Sequence, residues 1–248
     1  MNSRRALVIT IIIHTALMLT AYFGLVIFFD FPDILRRTPM LILEKFNANR
    51  DLIVGFYAAF MWSQVAFVLV VLAIGERFRD TSTAWLRCGV FLGVVAGFAQ
   101  AIGFSRWPFV VGGLADAAVD SPAAALTTLQ AIHQFAGVAV GEHLFFVFET
   151  LWVLCLALHL LEKPQGSHVS RTGALLLVPV GAAIGVYGLE QFGGVFAVLG
   201  PVNAVAHGAL LFWLVGLAVR QMFDRPLRKW ESAALTVVWA AIVFPGMF

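Results

Sequence analysis

Four polar residues stand at nearly one spacing from a basic residue, and that regularity is where chemistry can be read in this chain. Gln64 lies 13 residues before Arg77, Gln100 13 after Arg87, Glu149 14 before Lys163 and His207 13 before Arg220. If each basic residue marks the same end of an upright helix, a rise of about 1.5 Å per residue puts all four roughly 20 Å above it, in one layer. Asn203 sits one helical turn from His207 on the same face and extends that layer. Glu149 and His207 are its deepest ionisable pair, a combination able to hold a proton, a cation or a ligand amine. The same side chains also suit a plainer role as interhelical hydrogen-bond glue, worth about 0.6 kcal/mol on average.

A shallower set, Glu142, His143, Arg106 and Glu190, stands 19–21 residues from its basic markers, roughly 30 Å up. Glu142 precedes Glu149 by seven residues, which in a regular helix turns both carboxylates nearly the same way. These four read either as interfacial residues with solvated heads or as the outer mouth of a polar groove, closed by an ion pair between Arg106 and a carboxylate. The segment 106–120, with Pro108, Gly112 and Gly113 and acidic charge only at Asp116 and Asp120, reads as a loop apolar enough to fold back over that mouth as a lid. His14 and His159 read as hydrogen-bonded packing residues.

Composition dictates what must position these groups. Of 248 residues, 61% are hydrophobic and 12% charged, with mean hydropathy +0.92, against about 25% charged in an ordinary soluble domain. That excludes a soluble globular fold, a disordered chain, a disulfide scaffold and a coiled coil, and a net charge of +2 gives no reason to expect nucleic acid. The expected fold is an all-α integral membrane protein, one domain over 1–248 with six to seven spanning helices. The spans are expected at 6–29, 52–75, 85–105, 137–161, 172–190 and 200–219, with a marginal seventh at 231–247 that Pro245 and Gly246 interrupt.

The first span, behind Arg4 and Arg5, is too long for a cleaved signal peptide and reads as a retained anchor. Eleven of the 16 Lys and Arg residues fall on the side of the N-terminus and five on the other, which predicts a cytoplasmic N-terminus. Residues 30–50 read as a short amphipathic segment in the interface. Ser121-Pro122 is a helix start with no strong stop before Lys163-Pro164. A helix of that length would run about 60 Å, so it either projects from the membrane or bends near Gly137 and Gly141, whose G-x-x-x-G spacing also admits a close helix neighbour. Cys88 and Cys155 read as small apolar fillers.

No two histidines fall at equal depth for a bis-histidine haem, and H-E-x-x-H, C-x-x-C, G-x-S-x-G and the phosphate-binding G-x-x-x-x-G-K-[ST] do not occur. No catalytic or metal-binding residue and no cofactor is expected, with haem b or a quinone left open. The expected surroundings are the lipid bilayer and either a membrane-protein partner or further copies of the chain.

The stretches GEHLFFVFETLWVLCLALHLLE (141–162), SRTGALLLVPVGAAIGVYGLEQFGG (170–194) and LGPVNAVAHGALLFWLVGLAVR (199–220) resemble a bacterial multi-pass family known only as a domain of unknown function. The resemblance implies a bacterial cytoplasmic (inner) membrane and carries over no activity and no site residue. The expected function is therefore a non-catalytic membrane protein that binds a small hydrophobic or cationic ligand, or a partner helix, in an outward-facing groove lined by Gln64, Gln100, Glu149, Asn203 and His207. A proton-coupled secondary transporter and a haem- or quinone-associated subunit of a redox complex are the alternatives.

Overall fold

The computed structural model describes residues 3–162, 171–192 and 199–223. The expected seventh span at 231–247 and the marker Lys163 lie outside the described residues. These are 94% helical, without a strand. The helices are α1 (Ser3–Phe29), α2 (Pro39–Ala48), α3 (Arg50–Arg77), α4 (Ala84–Asp120), α5 (Pro122–Leu161), α6 (Arg171–Tyr187) and α7 (Gly200–Phe223). Five of them, α1, α3, α4, α5 and α7, are long and apolar enough to cross a membrane. α6, where a sixth span was expected, has 17 residues with Pro179 inside it and ends in a turn at 188–189.

Local chemistry sets the helix starts. Thr83 caps α4 by accepting the Leu86 N–H, and Thr38 does the same for Leu41 in α2, with Pro39 at the first helical position. Successive long helices pack side by side, α1 on α3, α3 on α4, α4 on α5, α5 on α6 and α6 on α7, and α7 returns to α1 to close a ring. This arrangement follows from short connections, which leave sequential helices as spatial neighbours.

The expected loop at 106–120 is instead helix. α4 runs on through a widened, π-helical turn at Trp107–Val111 and continues as α-helix from Gly112 to Asp120. Pro108, with no N–H to donate, falls inside the widened turn, where the regular hydrogen-bond ladder is already interrupted. No lid of irregular chain is therefore present at 106–120. α5 widens in the same manner over His133–Leu144, the stretch that contains Gly137 and Gly141.

At 37 and 40 residues, α4 and α5 would measure about 55 and 60 Å as regular helices, well beyond a hydrocarbon core of about 30 Å. Their extra length builds a cap at one end of the ring. There residues 112–120 pack on 122–132, and α2 and the 3₁₀ turn Asp33–Arg36 complete the layer. The apolar core divides accordingly. One cluster, including Phe67, Val71, Trp152 and Leu214, fills the ring, and a second, including Phe29, Phe46, Tyr57, Trp107 and Leu129, fills the cap.

Glycine lets α4 and α5 touch. A Cβ placed on Gly103 would meet the Cα of Gly141 at 2.5 Å, and one on Gly141 would meet the Cα of Gly103 at 2.7 Å, closer than any side chain permits. Cys88 of α4 and Cys155 of α5 sit in thiol contact along the same interface. Gly103→Leu or Gly141→Leu should therefore destabilise the protein by at least about 1–3 kcal/mol, seen as a lower melting temperature in detergent. Gly113→Ala, where a Cβ meets nothing within 4 Å, should leave stability unchanged or raise it by up to about 1 kcal/mol. Equal losses in all three would contradict the seam.

Candidate functional site

Glu149 projects from α5 and is 4% exposed, and His207 projects from α7 towards it. His207 Nε2 lies 2.9 Å from Glu149 Oε2. The other ring nitrogen, Nδ1, lies 3.0 Å from the backbone carbonyl of Asn203, one turn earlier in α7. A carbonyl oxygen only accepts, so Nδ1 carries a hydrogen and donates it. That leaves one proton for the contact between Nε2 and the carboxylate. Either Nε2–H donates to an ionised Glu149, or a protonated Glu149 donates to neutral His207. The pair is thus a single-proton site whose ring tautomer is fixed by the helix backbone. Phe145 and Phe146 flank the imidazole at 6.2 and 5.6 Å between ring centres, and the buried side-chain oxygen of Asn203 has no hydrogen-bond partner among the described residues.

Around this pair the predicted layer is only partly assembled. Gln64, buried on α3, donates to the Ser63 hydroxyl 3.2 Å away. The Ser63 carbonyl in turn accepts from His14 Nδ1 at 2.9 Å. This α1 histidine also packs against Phe67, with ring centres 5.5 Å apart. Gln100 is half-buried on α4, and its side chain makes no hydrogen bond among the described residues. The depth count missed His14 because it treats helices as upright and α1 starts from its own reference point. Its signal in the sequence was simply that it is ionisable and apolar-flanked.

Of the second predicted group Glu142 and Glu190 do meet, around Arg36, a cation that the sequence marked only as one of the basic residues outside the spans. Arg36 bridges two carboxylates, with Nη2 at 2.8 Å from Glu142 Oε2 and 3.2 Å from Glu190 Oε2. His143 Nδ1 lies 2.8 Å from the Gly188 carbonyl and so donates to it. The ion pair expected of Arg106 is absent among the described residues. Arg106 is 5% exposed, donates to the Gly103 carbonyl, and lies 3.4 Å from His133 Nδ1 and over the Trp107 ring at 5.3 Å. Arg36, approaching from the turn before α2, takes the carboxylates instead. His133 Nε2 donates to the Leu35 carbonyl at 3.0 Å, which leaves Nδ1 as the acceptor facing Arg106. Three buried polar atoms in this region, Arg106 Nε, Trp107 Nε1 and the Tyr57 hydroxyl, have no partner among the described residues.

Among the described residues no group of three His, Cys, Asp or Glu side chains could hold a metal ion. No known protein family, curated protein or solved structure shows a significant match to the chain.

The cap cluster carries a pH prediction. Burial alone would raise the Glu190 carboxyl, but hydrogen bonds from Arg36 and from the Tyr187 hydroxyl outweigh it and hold Glu190 below its ordinary value. Burial would lower the Arg36 guanidinium, and Glu142 and Glu190 together raise it instead. A carboxyl depressed in the folded state stabilises fully above its unfolded value, about 4.3, and that contribution is lost as pH falls through the folded value. The melting temperature should therefore drop as pH is lowered from about 5 to 3, and Glu190→Gln should flatten that part of the curve. Because the Arg36 side chain is 41% exposed, the difference should stay under about 1 kcal/mol. Identical acid limbs in both proteins would contradict the assignment.

Proposed function

We propose that the chain is a multi-pass protein of a bacterial inner membrane, with six to seven spans and a cytoplasmic N-terminus, that binds a small hydrophobic or cationic ligand beside Glu149 and His207 in exchange for a proton. The observation that carries this reading is the 2.9 Å contact between His207 Nε2 and Glu149 Oε2, with Nδ1 committed to the Asn203 carbonyl. A cation reaching Glu149 competes directly with the shared proton, since carboxylate and imidazole hold only one between them. Phe145 and Phe146 offer an apolar, quadrupolar lining to a hydrophobic cation. The Asn203 oxygen supplies a further acceptor.

A proton-coupled secondary transporter is the second reading. It is favoured by the widened turns at Trp107–Val111 and His133–Leu144, on two helices joined through Gly103 and Gly141, because interrupted helices are where alternating-access proteins place hinges and sites.

Tetraphenylphosphonium added to the purified chain in weakly buffered detergent solution, with a pH-sensitive dye, tests the exchange. About one proton should be released per cation bound. Glu149→Gln and His207→Ala should each abolish the release and the accompanying rise in melting temperature. Unchanged release from Glu149→Gln would overturn the site. In proteoliposomes, uptake of the same cation driven by a pH gradient would select the transporter reading, and binding without flux would select the non-transporting one.

A further inference from the structure

The cap holds a cavity of about 330 Å³ that is separate from the Glu149–His207 pair. One wall is the chain entering α2, with Leu35, Arg36, Arg37 and Ile42, and the other is α5, with Leu129, Gln130, His133, Gln134 and Val138. The lining is amphiphilic: aliphatic side chains from both walls, two guanidiniums, two carboxamides, the His133 imidazole and the Glu190 carboxylate, which Arg36 pairs at 3.2 Å.

The charges do not cancel. Arg36 is committed to Glu142 and Glu190, leaving that trio one negative charge in excess. Arg37 lines the cavity and its side chain makes no ion pair or hydrogen bond among the described residues. Behind His133, which lines the cavity, lies the guanidinium of Arg106, 5% exposed, which among the described residues has no carboxylate in bonding distance and no partner for Nε. Among these five groups three guanidiniums, Arg106 behind the lining, stand against two carboxylates, and one positive charge remains. A buried cation left without a counter-charge is costly, and an anion supplied from outside removes that cost.

We propose that this cavity binds the phosphodiester headgroup of an anionic phospholipid, with the Arg37 guanidinium on the phosphate, the Gln130 and Gln134 amides as further donors, and Arg106 as the buried charge behind His133. A phosphodiester carries one fixed negative charge at every pH near neutrality, whereas inorganic phosphate averages about one and a half there and changes with pH. The aliphatic lining, and the exposed Met40, Leu41 and Phe135 on the two helices that form the walls, suit the start of acyl chains where a free anion would gain nothing. Guanidinium recognises phosphate through paired N–H donors, which a lysine ammonium cannot reproduce.

The test is native mass spectrometry of the full chain in detergent, titrated with phosphatidylglycerol or with zwitterionic phosphatidylcholine, alongside melting temperatures. Phosphatidylglycerol should stay bound at activation energies that strip phosphatidylcholine, and should raise the melting temperature. Arg37→Gln, at an exposed position, should fold normally and bind phosphatidylglycerol roughly tenfold more weakly. Arg37→Lys should recover only part of that loss. Glu149→Gln should leave lipid retention unchanged, which separates this site from the proton pair. Equal retention of the two lipids, full binding by Arg37→Gln, or displacement by millimolar inorganic phosphate would each overturn the proposal.

Discussion

A carboxylate held among membrane helices must share its charge with a proton or a cation, and Glu149 shares it with the imidazole of His207. The remainder of the architecture serves that contact. α5 and α7 have to stand at bonding distance, which the ring closed by α7 against α1 provides. The Asn203 carbonyl has to fix which nitrogen of the ring is left to face the carboxylate. Removing one member of such a buried pair typically costs about 3–5 kcal/mol because the other is left uncompensated, whereas the intact pair contributes little net stability. A pair of that kind adds little as cement, which supports the proposed site for one exchangeable proton.

The two acidic groups of α5 serve different places. Glu142 lies near the end of the widened stretch His133–Leu144 and Glu149 in the regular helix that follows, seven residues or about 10 Å further along. Glu142 meets Arg36 at the cap while Glu149 meets His207 in the ring. The widening is compatible with tight packing because Gly103 and Gly141 let the two backbones meet. The cap and the ring are thus two polar sites on one long helix, with Arg36 facing the carboxylate in one and His207 facing it in the other.

Much of this was legible in the residues. Hydropathy located the long helices, and counting residues from a basic marker brought Glu149 and His207 to one depth. Gly137 and Gly141 marked the stretch that departs from regular helix. What escaped the sequence has physical reasons. Arg36 is 106 and 154 residues from its two partners, and nothing local distinguishes it from other loop arginines. Pro108, Gly112 and Gly113 predict a loop by their propensities, yet the chain there stays helical because Trp107 and Val111 are buried against Phe29, Tyr57 and neighbours in the cap cluster. His14 enters through a backbone carbonyl of Ser63, an interaction with no signature in residue type. Gln100 shares the expected depth without sharing the network, since depth alone leaves the facing of each helix undetermined.

The shared proton is tested most directly by ¹⁵N nuclear magnetic resonance of the imidazole nitrogens in histidine-labelled protein, with His207 assigned by its loss in His207→Gln. The account predicts that Nδ1 stays protonated at every pH at which the protein is folded. It also predicts that Nε2 alone changes its signal in Glu149→Gln, from a nitrogen sharing a proton with a carboxylate to that of an ordinary neutral ring. A His207 ring with an unprotonated Nδ1, or an Nε2 signal indifferent to Glu149→Gln, would contradict it.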